Sequence, residues 1–356
     1  MPRAPRSQQT MSEASPPDSR PTSEDCTPTP LRAAIVGAGA IGGWVGARLA
    51  RAGGCRLSVW ARGATREALE RDGWQMTDPD GTRWAARPAS VGSPEELGAQ
   101  DLVILSVKTT ALGEVADGTA ALMGPQTAVL SLVNGVPWWF GPSLPALAAA
   151  PPRSVDPQGR LLARWPLERV IGGVVHASAS CPAPGHVVHR GGLGLVIGDP
   201  LHRSPVPAVH DRIATLLREA GLELTVSPFI QQDLWYKLWG NLTMNPVSAL
   251  TRATADRILD DPQVRAFCSA AMREAAAAGE RIGCPIDQDP EARHAVTRKL
   301  GAFRTSMLQD VEAGRPLELD AIVHAVREIA AQVGVATPTI DALHGLARLL
   351  DENRRR

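Results

Sequence analysis

From residue 31 onward, short β-branched apolar runs alternate along the chain with alanine-rich stretches of helical period. That alternation predicts parallel strands joined by crossover helices. Strands are expected at residues 33–36, 57–60, 101–107 and 127–133. The third of these, Asp101-Leu-Val-Ile-Leu-Ser-Val107, is apolar enough for a strand covered on both faces. Residues 74–77 and 82–86, linked by Asp78-Pro79-Asp80-Gly81, predict an antiparallel hairpin set between two crossovers. After a Pro- and Ala-rich loop at about 141–168, strand-like segments recur at 170–177, 187–190 and 195–197. Beyond about residue 228 only amphipathic helical stretches bounded by Pro and Gly remain. The chain is therefore expected to divide into an α/β domain over 31–227 and an all-α domain over 228–356. Residues 1–30, rich in Pro, Ser and Thr without apolar period, are expected to be a disordered tail, with Met11 as an alternative start.

Charge and cysteine usage narrow the function classes. Lysine plus arginine and aspartate plus glutamate both number 37, so no net field attracts nucleic acid or an acidic membrane surface. Any anionic ligand must be caught locally. Cys26, Cys55, Cys181, Cys268 and Cys284 are scattered, odd in number and never spaced as C-x-x-C, which argues against a disulfide framework and a metal site. A reducing cytoplasm is the expected compartment. No apolar run approaches the ~20 residues of a membrane span. A homodimer is compatible with the sequence, which specifies no oligomeric state.

The first apolar run ends in Gly37-Ala38-Gly39-Ala40-Ile41-Gly42 and leads into a helical pattern. In that setting Gly37 permits a tight turn, Gly39 lets the backbone approach a pyrophosphate, and Gly42 lets helix pack on strand. A Rossmann-type dinucleotide-binding domain is the expected fold of the N-terminal part, followed by the all-α C-terminal domain. At the end of the second strand, where NAD enzymes place a carboxylate, stands Trp60-Ala61-Arg62 with no acid before Glu67. A guanidinium there suits a 2′-phosphate, so NADP(H) is the expected cofactor; the alternative is a solvated surface arginine beside an NAD site. Lys108 and Asn134 close the next two strands, at the edge where an open parallel sheet binds ligands.

In the helical part Lys237, Asn241 and Asn245 are spaced by four, which forms one polar stripe between faces carrying Trp235, Leu238, Trp239 and Leu242. The stripe either lines a liganded cleft or faces solvent. Downstream, Ser306 and Asp310 share a helix face, and Glu318 and Asp320 follow Pro316 near the next helix start, where capping alone could account for them.

These pieces together resemble the ketopantoate reductase (2-dehydropantoate 2-reductase) family over about residues 33–350. The resemblance is carried by the glycine turn, Ser106-Val-Lys108, Asn134-Gly135, Val175-His176-Ala177, residues 235–246, Ser306-Met-Leu-Gln-Asp310, Gly314-Arg315 and Glu318-Leu-Asp320. It implies an NADPH-dependent reductase of a small 2-oxoacid in pantothenate and coenzyme A synthesis. Lys237 would donate a proton to the C2 oxygen as hydride arrives at carbon, with Glu318 as its catalytic partner. Asn241, Asn245, Ser306 and Lys108 would hold the substrate, and Lys108 and Asn134 would face the cofactor. Val136-Pro-Trp138-Trp139-Phe140 and the long loop after it depart from the family, which makes Trp138 and Trp139 candidates for a pocket wall or an interface. His324 stands where the family often has glycine, and His176 is expected to be structural. Two alternatives stay open: a paralogue acting on another branched or aromatic 2-oxoacid, and a non-catalytic nucleotide sensor.

Overall fold

The computed structural model describes residues 30–148, 150–204 and 206–355, so the expected disorder of the tail falls on residues outside this set. The described strands are β1 (Leu31–Val36), β2 (Cys55–Trp60), β3 (Trp74–Thr77), β4 (Arg83–Ala86), β5 (Ser90–Gly92), β6 (Gln100–Leu105), β7 (Met123–Ser131), β8 (Val170–Ala183), β9 (His186–Gly198) and β10 (Glu223–Ser227). They form one mixed sheet in the order β4-β3-β9-β8-β7-β6-β1-β2-β5, with β10 paired to a different stretch of β9 from β3. The β7-β6-β1-β2 centre is parallel, and β8 with β9 and β3 with β4 are antiparallel.

Side chains alternate between the two faces of β1, as a period of two requires. Ala33 and Ile35 join an apolar cluster with Trp44, Leu49 and Trp74, while Ala34 and Val36 join one with Trp138, Trp235 and Trp239. The first cluster is roofed by the helix Ala40–Ala52, which Gly53 ends in the left-handed region at φ 74. Gly43 and Gly46 present a smooth side of that helix; a Cβ on Gly46 would stand 2.5 Å from the Trp74 ring. The hairpin β3–β4 can therefore lean on the helix and curl the sheet edge around it.

The long loop corrects one expectation. Trp138, Trp139, Phe140 and Trp165 are all 0% exposed, so the aromatic insert is core and neither a pocket wall nor an interface. The Trp138 indole N–H donates to the Trp165 carbonyl at 3.0 Å, and the Trp165 indole to the Thr119 hydroxyl at 3.1 Å. Phe140 stacks on Trp235 with ring centres 5.6 Å apart, so the insert bonds the sheet face to the first long helix of the C-terminal part. Trp138 and Trp165 thus satisfy their polar edges, as large buried rings usually do, whereas the Trp139 indole N–H is buried without a partner among the described residues.

That helix runs over Ile230–Thr251 and is followed by Pro262–Arg281, Pro290–Arg298, Ser306–Glu312, Ala325–Gln332 and Pro338–Arg355. Two of these starts follow the Asp-Pro rule: the carboxylates of Asp261 and Asp289 accept from N–H groups of the turns that Pro262 and Pro290 open. A π-type turn at Asp320–His324 precedes Ala325–Gln332. None of the described helices is long and apolar enough to cross a membrane.

Candidate active site

The glycine turn lies at the carboxyl end of β1. Gly37 has φ +98, and a Cβ there would stand 2.7 Å from the Val107 amide nitrogen. A Cβ on Gly42 would stand 2.0 Å from the Gly37 carbonyl oxygen. The Ser106 hydroxyl closes the turn by donating to the Gly37 carbonyl at 2.9 Å. Gly39 alone looks into open space, with nothing within 4 Å of the place a Cβ would take. Gly39 is the N-cap of the helix, and no side chain caps or acidifies its first turn. The amides of Ala40, Ile41 and Gly42 therefore lack intrahelical partners and point toward that space. A cleft of about 260 Å³ opens beside them, lined by Gly37, Ala38, Gly39, Trp60 and Arg62. Arg62 is exposed at the N-cap of the helix Gly63–Asp72. A backbone cradle with a guanidinium at its rim fits a dinucleotide. Cys181 also lines the cleft, carried there by the long β8–β9 hairpin.

Opposite, the helix Ile230–Thr251 is fixed by its apolar side. The indoles of Trp235 and Trp239 donate to the carbonyls of Ala275 at 3.2 Å and Met272 at 2.7 Å on the neighbouring helix. The polar stripe is thereby turned toward the sheet, and it is not a solvated face: Lys237 and Asn241 are half-buried and Asn245 is 5% exposed. Lys237 shares a small recess with Asn134, Gly135 and Gly173. Among the described residues its ammonium has no hydrogen-bond partner; burial lowers its pKa to about 8, against the attraction of Glu318. The Asn241 amide donates to the Asn134 side-chain oxygen at 3.2 Å, which joins helix to sheet beside the lysine. The Asn245 amide nitrogen is buried without a partner among the described residues.

The third contribution comes from the chain between the helices Ser306–Glu312 and Ala325–Gln332. Glu318 is 7% exposed and its Oε1 accepts from the Thr109 N–H at 2.9 Å and hydroxyl at 3.1 Å. Burial raises its pKa, opposed by Lys108 and the Thr109 donors. The π-type turn docks on the Asn134-Gly135 corner: Val136 N–H donates to the Ala321 carbonyl at 2.8 Å, and Gly135, at φ +77, leaves no room for a Cβ there. Lys108 is directed to Asp310, whose other oxygen accepts from Arg315 at 2.9 Å.

Lys237, Glu318, Asn134 and Asn241 are thus gathered at one place, with Asn245 further along the same helix. The glycine turn and Arg62 line the larger cleft at the carboxyl end of β1. Lys108 is held in an ion pair, and Ser306, the first residue of its helix, is exposed. Thr109 was not among the expected residues; a threonine after a strand-ending lysine carries no pattern of its own. The glycine cradle and the lysine-bearing helix across from it define the class, a dinucleotide-dependent oxidoreductase with a Rossmann-type sheet and a helical second half.

Comparison with known proteins makes the assignment narrower. The family model "Ketopantoate reductase PanE/ApbA" matches residues 33–201, and its C-terminal counterpart matches residues 229–351. A 2-dehydropantoate 2-reductase of Mesorhizobium japonicum is 40% identical over 332 residues, covering 91% of this chain and 99% of the relative. A crystal structure from Ralstonia solanacearum MolK2, assigned there to the ketopantoate reductases, is 50% identical with a TM-score of 0.86, covering 92% of this chain and 99% of that one. The 2-dehydropantoate 2-reductase of Geobacter metallireducens GS-15 is 28% identical with a TM-score of 0.78, covering 90% and 99%. The chain belongs to the ketopantoate reductase family.

Proposed function

We propose that the protein reduces 2-dehydropantoate to pantoate with NADPH, with Lys237 as proton donor. The observation that carries this reading is the Lys237 ammonium: half-buried, without a hydrogen bond among the described residues, and lowered to about 8 beside the Asn134–Asn241 contact. The 40% identity to the Mesorhizobium japonicum 2-dehydropantoate 2-reductase supports the choice of substrate. Bound NADPH supplies the hydride that adds to C2. As that bond forms, charge builds on the C2 oxygen; the ammonium polarises the carbonyl and gives its proton to the oxygen, and the neutral amine is reprotonated from solvent. A lysine near 8 releases a proton more readily than one at the ordinary 10.5 and is still charged at neutral pH. Glu318 biases Lys237 toward the charged form, and Asn241 and Asn245 offer amides to the substrate's oxygens. An exposed guanidinium at Arg62, on the rim of the glycine cleft and with no acid before Glu67, would suit a 2′-phosphate and so supports NADPH over NADH. The buried aromatic insert lends no wall to a pocket for an aromatic oxoacid.

The test is NADPH consumption by purified protein on addition of ketopantoate. Turnover is expected in the wild type, and Lys237→Ala is expected to lose about 10²- to 10⁴-fold in kcat while binding NADPH normally. An inert wild type removes the substrate assignment, and a fully active Lys237→Ala removes the mechanism.

A further inference from the structure

Arg293 lies on the helix Pro290–Arg298, and its guanidinium is laid against the long helix that carries Lys237. Its Cζ stands 4.9 Å from the centre of the Tyr236 ring, and the Tyr236 hydroxyl is tied to Gln288 at 2.9 Å. A Cβ on Gly240 would come within 3.0 Å of Nε and 3.2 Å of a terminal nitrogen. Glycine is a poor helix former, and here it sits in the middle of a 22-residue helix. Its missing side chain is what admits the guanidinium. Gly240 follows Lys237 by three residues and precedes Asn241 by one, so the space it opens borders the polar stripe.

Among the described residues no carboxylate pairs with Arg293, its Nε is buried without a partner, and no acceptor meets its terminal nitrogens. Its neighbours differ: Arg298 pairs with Asp260 and Arg265 with Glu291, while Lys108 and Arg315 share Asp310. A planar guanidinium held by packing alone, with its outer donors unused, is arranged for a carboxylate brought from outside. On strand β8, His176 is an exposed residue whose ring is partly desolvated by its neighbours; that desolvation and then the charges of Lys237 and Arg293, opposed by Asp233, hold it below the ordinary imidazole range. Both cations therefore act on the same small region between strand and helix.

We propose that Arg293 binds a carboxylate of the substrate, steadied by Tyr236 and Gly240, while Lys237 addresses the keto oxygen. This rests on the 2-oxoacid reductase reading above. The acid group is either the one adjacent to the ketone or one at the far end of a dicarboxylate, and the choice of substrates separates the two.

Steady-state kinetics are measured for wild type, Arg293→Ala, Arg293→Lys and Gly240→Ala with ketopantoate, its uncharged amide and a 2-oxo dicarboxylate. Arg293→Ala is expected to raise KM for the acid about 10- to 100-fold, with NADPH affinity unchanged and KM for the amide unmoved. Arg293→Lys recovers only part of the loss because an ammonium lacks the fork. Gly240→Ala, which puts a better helix former at that position, is expected to show the same acid-selective defect in weaker form. A defect confined to the dicarboxylate assigns Arg293 to the remote acid group. Equal loss on acid and amide, or no loss on any substrate, overturns the proposal. A wild type inert on all three overturns the reductase reading instead; pantoate titrated calorimetrically into wild type and Arg293→Ala then decides, since equal affinity or no binding refutes the role of Arg293.

Discussion

Replacing Lys237 with methionine is expected to stabilise the protein while nearly abolishing its activity. In the folded state the ammonium is partly stripped of water and not hydrogen-bonded among the described residues, and its pKa falls from 10.5 to about 8. At about 1.4 kcal/mol per tenfold change in proton affinity that is about 3 kcal/mol of destabilisation at pH 7, trimmed to about 2–3 by the solvent that still reaches the side chain. The sign follows from linkage. The folded pKa is the lower one, so between pH 8 and 10.5 the unfolded chain holds more protons and the wild type gains stability as pH rises through that window. Below it the full penalty applies. Methionine is of similar length, has no charge to desolvate, and packs beside Leu234 and Leu238, which are 5% and 3% exposed. Scanning calorimetry at pH 7 is expected to place the variant's Tm about 5 °C above wild type, and at pH 10 the gap is expected to shrink to less than half. A variant no more stable at pH 7, or a gap indifferent to pH, would show that the amine is already hydrated or paired and would undo the electrostatic reasoning for its role.

Three further substitutions probe separate parts of the account. Arg62→Ala is expected to raise KM for NADPH about tenfold with little change for NADH, as loss of one exposed charge-assisted bond implies; equal changes for both cofactors count against the 2′-phosphate contact. Trp138→Ala removes a fully buried ring and its bond to Trp165, so denaturant titration is expected to show a loss of about 3–5 kcal/mol with substrate KM unaltered, whereas a KM defect at full stability would return the insert to the pocket. Asp310→Ala leaves Lys108 and Arg315 without their shared, 3%-exposed counter-charge, and because solvent reaches both cations unfolding measurements are expected to register only about 1–2 kcal/mol; a neutral result would mean that the ion pair is replaced by solvent.

The parallel centre of the sheet was legible because strands covered on both faces must be apolar throughout, and residues 102–105 are all 0% exposed. The helix through Lys237 was equally plain, since tryptophans on one side and amides on the other can satisfy only one phase of a 3.6-residue period. Strands β8 and β9 were less so. Residues 187–190 and 195–197 read as two segments, yet they are one strand, because Gly191 and Gly192 at φ +154 and +75 form an irregularity that the partner strand spans. The exposed edge strand β10, carrying the polar pattern Glu223–Ser227, left no apolar signal. At the site, spacing identified Lys237, Asn241 and Asn245, but it could not say that Lys108 would turn to Asp310, 202 residues away, or that Glu318 would be held by Thr109. The guanidinium of Arg293 was hidden for the same reason: its meaning depends on the space above Gly240, which no periodicity reports.

The central claim is that the Lys237 amine addresses the reacting carbonyl across from the nucleotide cradle. A crystal structure of the protein with NADP+ and an unreactive 2-oxoacid analogue tests it directly. The account predicts the amine within hydrogen-bond reach of the C2 oxygen, with the pyrophosphate against the amides of the glycine turn 37–42. An analogue bound elsewhere, or an amine turned away from it with the cofactor in place, would contradict the account.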